Sequence, residues 1–141
     1  MRRRHGYWTM PHRLPLLLVP LLLLAGCHRP PAPSQPDRAL LIEQRKDAAV
    51  AQLADCESGQ GTGSGRYVGR FQFEPGTVIA FVRQRDGRTI SRQEAVIIAS
   101  DYAQASALAK YIIFERDGAS HWPACSRKIG LARQVADIRA L

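Results

Sequence analysis

The N-terminal segment is the sequence feature that most constrains the fold. Its pattern predicts a cleaved leader, so the folded domain has to be built from the residues that follow it. Residues 1–26 contain four arginines and no acidic residue. An apolar run from Leu14 to Leu24 follows the arginines and is interrupted by two prolines. A helix needs about 20 apolar residues to cross a bilayer, so this run is too short. A basic start, an apolar run and small residues after it are typical of a secretory signal peptide.

The leader ends in Leu24-Ala25-Gly26-Cys27. This sequence resembles the bacterial lipobox, in which cleavage leaves a lipid-modified cysteine as the first mature residue. The resemblance implies a signal peptide at 1–26 and a lipid on Cys27. We therefore expect a cell-envelope protein, anchored to a membrane by this lipid and facing the periplasm or the cell wall.

The mature chain, residues 27–141, is long enough for one small domain with a modest core. The leader holds four of the twenty basic residues and none of the twelve acidic ones, which leaves an excess of four positive charges. We therefore expect no nucleic-acid partner. The basic residues indicate a solvated surface or a mild attraction to an anionic wall polymer.

Two cysteines remain after lipidation of Cys27, and they are Cys56 and Cys125. Disulfides persist in exported proteins, and two cysteines allow one connectivity. Two free thiols and a metal pair are the alternatives. Zinc is disfavoured because the chain has no CxxC motif and few histidines, and we expect neither a metal nor a cofactor.

Prolines at 27–36 predict an extended, semi-rigid tether before a domain at 37–141. Apolar residues at helical spacing predict a first helix over Asp37–Cys56, ended by Gly59. Further helical stretches are predicted from Pro75 to Asp86, from Ser91 to Glu115 with a break near Ser100-Asp101, and from Leu131 to Leu141. A tight segment from Trp122 to Cys125 is predicted before the last of these helices. The chain is therefore expected to be mainly α-helical.

Five glycines between Gly59 and Gly69 predict a turn-rich loop. The loop follows a helix and has no Lys-Ser/Thr pair, so it does not match a phosphate-binding loop. The alternating stretch Tyr67–Phe73 predicts a short extended segment or hairpin.

Three stretches in this order resemble the catalytic domain of the resuscitation-promoting factors, small lysozyme-like proteins that cleave peptidoglycan and are related to lytic transglycosylases. The stretches are Cys56-Glu57-Ser58-Gly59, then Tyr67-Val68-Gly69-Arg70-Phe71-Gln72-Phe73 with Thr77, and finally Trp122-Pro123-Ala124-Cys125-Ser126. The resemblance covers about residues 48–130. It departs from the family in a shorter glycine loop, a missing tryptophan after the Ser-Gly pair, and a longer helical region at 83–101.

The resemblance implies a lysozyme-like α+β fold and a Cys56–Cys125 disulfide. It also implies that Glu57 is the catalytic acid, with Gln72 and Thr77 lining a saccharide cleft.

The residues themselves support this interpretation. A glutamate at a helix end beside a disulfide and aromatic residues can be desolvated, which keeps it protonated near neutral pH. Aromatic residues are candidate faces for sugar rings, although core packing is the favoured interpretation for two of them, Phe73 and Trp122. The exposed-face candidates are then Tyr67 and Phe71.

Each candidate also has an ordinary structural explanation. Glu57 can be a solvated helix-end acid, Gln72 can satisfy loop backbone groups, and Thr77 can simply lie near a helix start. Hydrolysis usually needs a second carboxylate, and the candidates Glu74, Asp86 and Asp117 lie outside the family motifs. A lytic transglycosylase needs one glutamate.

The sequence therefore predicts a peptidoglycan lytic enzyme, more readily a transglycosylase than a muramidase. Its expected partners are peptidoglycan glycan strands and, through the lipid, a membrane. The rival is a non-catalytic peptidoglycan-binding lipoprotein on the same fold.

Overall fold

A computed structural model describes residues 35–59 and 65–141 of the chain. The expected signal peptide, the lipidation site at Cys27 and residues 28–34 of the expected tether lie outside the described residues. None of the described helices is both long and apolar enough to span a bilayer.

Six α-helices and one 3-10 turn make up most of the described chain. The elements are α1 (Gln35–Ser58), α2 (Pro75–Asp86), α3 (Arg92–Ser100), α4 (Tyr102–Glu115), the 3-10 turn (Gly118–His121), α5 (Pro123–Lys128) and α6 (Leu131–Arg139). Over 35–59 and 65–141 the backbone forms no β-strand, and extended pairing is limited to an isolated antiparallel bridge between Val68 and Phe73. The prediction of a mainly α fold with one disulfide is confirmed, and the expected hairpin is reduced to this bridge.

Local capping signals explain where α3 and α4 begin. Ser91 accepts a hydrogen bond from the Glu94 backbone, while the Glu94 carboxylate accepts one from the Ser91 N–H at 2.8 Å. This capping box satisfies two N–H groups that a helix start leaves unpaired. Asp101 ends α3 and caps α4 by accepting from the Gln104 N–H at 2.8 Å. The predicted break near Ser100-Asp101 is therefore confirmed.

Two predicted boundaries differ from the structure. Helix α1 begins at Gln35, so the last two residues of the predicted tether are helical. Proline is tolerated in a first helical turn because its missing N–H would have no partner there, which explains Pro36. The segment predicted as a tight pinned stretch at Trp122–Cys125 instead opens a short helix, α5.

Helix α4 supplies much of the core, and it packs against α1, α2 and α3. Its buried side chains are Ala105, Leu108, Ala109, Ile112, Ile113 and Phe114, and the first five of them share one face. An aromatic cluster lies beside them, where Phe71 contacts Phe73 and Trp122 at ring-centroid distances of 5.8 and 6.4 Å. The Trp122 indole N–H donates to the Phe71 carbonyl at 2.8 Å, which satisfies its polar edge inside the core.

Core packing is therefore confirmed for Phe73 and Trp122. Phe71 is fully buried as well, so the expectation that it offers a face to a sugar ring is wrong. Its ring is needed to fill the space between the 65–74 loop and the helices.

Candidate functional site

Glu57 lies in the last turn of α1, at the end of that helix's buried face. Val50, Leu53 and Ala54 precede it by seven, four and three residues, and all three are buried. Residues at these spacings share one helix face, so Glu57 continues the apolar stripe with a carboxyl group. Its side chain is consequently partly buried.

Burial raises the pKa of the Glu57 carboxyl above its usual value, because a charge is less stable away from water. The helix dipole acts in the same direction, since the C-terminal end of a helix disfavours a negative charge. The last turn of α1 contains no basic residue to offset this. Within 35–59 and 65–141, the Glu57 carboxyl takes part in no hydrogen bond or ion pair. It can therefore hold a proton and give it to a ligand.

A disulfide fixes the backbone next to Glu57. Cys56 is bonded to Cys125 of α5, with a Cα–Cα distance of 5.8 Å across a separation of 69 residues. The bond joins the last turn of α1 to α5, so the position of Glu57 depends on a covalent link between distant parts of the chain.

The 65–74 loop is built around a tight turn. Val68 and Phe73 exchange backbone hydrogen bonds of 2.8 and 2.9 Å, and Gly69 between them has a φ of 71°. A Cβ atom at Gly69 would clash with the carbonyl oxygen of Ala99 at the end of α3. Glycine is therefore required there for both its conformation and its size.

The Gln72 side chain bonds to a backbone group of its own loop, which is the structural role given above as the alternative to saccharide binding. Its side-chain amide donates to the Gly69 carbonyl at 2.8 Å, and its own backbone has a φ of 49°. The side chain thus helps to hold the turn in which it lies. A role in saccharide binding would have to use its remaining hydrogen-bonding capacity.

An ion pair between Arg70 and Asp55 attaches the loop to α1. The Arg70 guanidinium also lies 5.0 Å from the centroid of the Tyr102 ring, and Tyr102 stacks on Phe71 at 6.1 Å. This contact brings the loop beside the turn that carries Glu57. Sequence reasoning missed Arg70 and Tyr102, because no spacing rule relates residues 15 or more positions apart.

The other two predicted substrate-binding residues, Tyr67 and Thr77, lie before and after the Val68–Phe73 turn in the sequence. Tyr67 is 45% exposed, and Arg66 lies 5.8 Å from its ring centroid. Its ring can therefore reach a ligand. Thr77 lies in the first turn of α2, where its N–H donates to the Glu74 carbonyl at 2.9 Å. This is the helix-start position that the alternative interpretation proposed.

The candidates for a second catalytic carboxylate are all paired with arginines. Glu74 lies 3.4 Å from Arg66, and Asp117 pairs with Arg139. Asp86 accepts hydrogen bonds of 2.7 and 3.0 Å from Arg85, which lowers the pKa of that carboxyl.

No family model, curated protein or solved structure matches this chain. The likeness to the resuscitation-promoting factors is therefore carried by the motif residues alone. Among the described residues, no three His, Cys, Asp or Glu side chains are grouped to hold a metal ion.

The chemistry open to this site follows from the contrast between its carboxylates. Asp55 and Glu74 each pair with an arginine of the 65–74 loop, whereas Glu57 has a raised pKa and no such partner among the described residues. A carboxyl group with a raised pKa, in the helix turn to which the 65–74 loop is attached by the Arg70–Asp55 pair, suits acid catalysis on a polyhydroxylated ligand.

Proposed function

We propose that this protein is a lipid-anchored envelope enzyme that cleaves the MurNAc–GlcNAc bond of peptidoglycan, as a lytic transglycosylase on a lysozyme-like fold. One observation carries the proposal: Glu57 ends the buried stripe of α1, where burial raises its pKa. General acid catalysis at neutral pH needs a carboxyl group in such an environment.

In the proposed reaction, the Glu57 carboxyl group donates its proton to the glycosidic oxygen while the bond from MurNAc C1 to that oxygen breaks. The Glu57 carboxylate then accepts the proton of the C6 hydroxyl group of the same sugar. The C6 oxygen bonds to C1, and the product ends in a 1,6-anhydro sugar. Glu57 finishes the cycle protonated, so no second protein carboxylate is needed.

The pairing of the other carboxylates supports this route over hydrolysis. Glu74, Asp86 and Asp117 each contact an arginine, and reorienting one of them as a nucleophile or base would break that contact. Exposed Tyr67 is proposed to stack on a sugar ring, with Gln72 and Thr77 completing the cleft. The motif around Cys27 supports the membrane anchor.

One observation favours the rival, a non-catalytic peptidoglycan-binding lipoprotein. Phe71, Phe73 and Trp122 are committed to the core, and Gln72 to its own loop. Few side chains are therefore left in the proposed cleft to distort a sugar ring, and binding a sugar without cleaving it needs fewer contacts.

Substitution of Glu57 by glutamine separates the two proposals. Glu57→Gln keeps the size of the side chain and removes the proton that it transfers. We expect cleavage of purified peptidoglycan by the full chain to fall by about 10²–10⁴-fold. The matched control is Glu43→Gln on the same helix, which should leave the rate unchanged because Glu43 is exposed and pairs with Lys46.

Mass spectrometry of the soluble products should show 1,6-anhydro-muramyl ends. Reducing muramyl ends would show that the bond is hydrolysed, and the protein would then be a muramidase instead of a lytic transglycosylase. If the folded wild-type chain binds peptidoglycan and releases no product, the rival is correct.

A further inference from the structure

A groove on the side of α5 away from α1 has a chemistry that the proposed cleft does not use. It has a volume of about 530 Å³ and lies between the 3-10 turn, α5 and the start of α6. Its apolar lining comes from small residues, Ala119, Pro123 and Ala132, while Arg127 and Arg133 contribute positive charge. We call it the α5–α6 groove.

The two arginines are available to an anionic ligand. Over the described chain, the Arg127 guanidinium has no hydrogen-bond or ion-pair partner. Arg133 has a carboxylate at 3.9 Å, Asp137, but its side chain is 90% exposed, so water competes strongly with that pair. The described residues that line the groove include no aspartate or glutamate.

The positive end of α6 adds to this potential. Gly130, which precedes the helix, provides no side-chain cap, so the first-turn N–H groups of α6 direct their partial positive charge outwards. An occupant that suits the groove therefore combines carboxylates with small apolar side chains.

The groove and Glu57 lie on two sides of α5. Pro123, Ser126 and Arg127 share one face of that helix by their spacing. Cys125 points to the opposite side, where it is bonded to Cys56 next to Glu57. The width of a helix is about 10–12 Å, and an extended peptide spans about 3.3 Å per residue. A peptide of a few residues is long enough to run from a sugar at Glu57 to the groove.

We infer that the α5–α6 groove binds the peptide stem of peptidoglycan, an inference that rests on the proposed peptidoglycan substrate. Alanine methyl groups of the stem fit the small apolar lining. Its carboxylates pair with Arg127 and Arg133, since guanidinium groups bind carboxylates well. The described residues of the lining include no aromatic side chain on which a sugar ring would stack.

Direct titration with a synthetic stem peptide tests this inference. We expect the free-carboxylate peptide to shift the NMR signals of Ala119, Gly130 and Ala132 in the full chain. Arg127→Ala should weaken binding by about tenfold or more, because it removes a charge-assisted hydrogen bond. The matched control, Arg92→Ala on α3, removes the same charge outside the groove and should leave binding unchanged.

Two further measurements separate the contribution of charge to peptide binding from that of the shape of the groove. The same peptide with its carboxylates amidated should bind at least tenfold more weakly, and Ala132→Phe should block the groove while both arginines remain. Equal binding of the two peptides, or signal shifts confined to other surfaces, would overturn the inference. A wild-type dimer that Arg127→Ala dissociates would overturn it too, because the groove would then hold a second copy of the chain.

The inference and the proposed enzyme fail in different experiments. The enzyme proposal fails if intact peptidoglycan is not cleaved, whereas peptide binding is measured without cleavage. If cleavage occurs, wild-type protein should act faster on intact peptidoglycan than on glycan strands stripped of peptides. Arg127→Ala should remove that preference and leave the rate on stripped strands unchanged. A preference that survives Arg127→Ala would contradict the peptide-binding role.

Discussion

The two halves of α1 have opposite surroundings, although they belong to one continuous helix. In the first half, residues 35–48, most of the described side chains face solvent, as Leu40 does at 59% exposure, although Ile42 is partly buried against the core. In the second half, residues 49–58, one face is buried in the core and ends at Glu57. Ion pairs with Lys110 and the partly buried Ile42 attach the first half to the rest of the domain, whereas extensive packing and a disulfide hold the second.

The difference decides what a glutamate does in each half. Glu43 accepts hydrogen bonds from Lys46 at 2.8 Å and from Lys110 at 3.2 Å, and the contact with Lys46 is the main reason that the pKa of Glu43 is lowered. Glu57 is partly buried instead, and its pKa is raised. Position on the helix face therefore shifts the pKa of the same side chain in opposite directions.

Among the changes that test this contrast, removal of the disulfide should lower the free energy of unfolding the most. We expect Cys125→Ala to lower the free energy of unfolding by about 4 kcal/mol, because the unfolded chain regains the freedom of a long closed loop. Urea unfolding of the variant and of wild type measures the difference. Cys56→Ala should cost about as much, and the double variant no more than either, since all three lose the same bond. A loss below about 1 kcal/mol would show that packing alone holds the second half of α1.

Leucine truncation tests the packing of the two halves directly. Leu53 is fully buried and Leu40 is mostly exposed. Leu53→Ala should cost about 3 kcal/mol, because it removes buried methyl groups and leaves a cavity. Leu40→Ala should change the free energy of unfolding by less than about 0.5 kcal/mol. Similar losses at both positions would mean that the Leu40 side chain is packed as tightly as that of Leu53.

The smallest effects should have opposite signs at the two glutamates. A raised folded-state pKa means that folded protein binds more protons than unfolded protein, so stability falls as pH rises above the usual glutamate pKa of 4.5. Glu57→Gln removes this loss, and we expect its melting temperature to exceed that of wild type at pH 7. The difference should vanish as the pH falls below 4.5.

A lowered folded-state pKa has the reverse consequence for Glu43. Its ionised form contributes stability above the usual glutamate pKa of 4.5, and that contribution is lost as pH falls through the folded-state pKa. Glu43→Gln should therefore destabilise the protein at pH 7, by about 0.2–1 kcal/mol for an exposed pair. Melting curves of both variants from pH 3 to pH 8 measure the two signs. If both variants shift in the same direction at pH 7, the contrast between the halves is wrong.

Several elements were predictable because their signals are local. The Ser91–Glu94 capping box, the Asp101 break and the Pro75–Asp86 helix depend on residues within a few positions of one another. Cys56 and Cys125 were predictable partners for a different reason, since the leader predicts export and, with Cys27 assigned to the lipid, two cysteines allow one pairing.

Other features of the candidate site depend on contacts between distant segments. The burial of Phe71 required α4 and Trp122 to close over the 65–74 loop, and the Arg70–Asp55 pair required that loop to return to α1. The α5–α6 groove required the 3-10 turn and α6 to meet α5.

By itself, the sequence determined a mainly helical domain, most helix boundaries and the cysteine pair, because hydrogen-bond caps and side-chain periodicity act over one or two turns. It also marked Glu57 by its motif. Only the tertiary structure decided how each carboxylate is solvated. Desolvation depends on everything packed around a group, and the core that partly covers Glu57 comes from segments far along the chain. The same glutamate on the solvent face of α1 would be an ordinary surface acid.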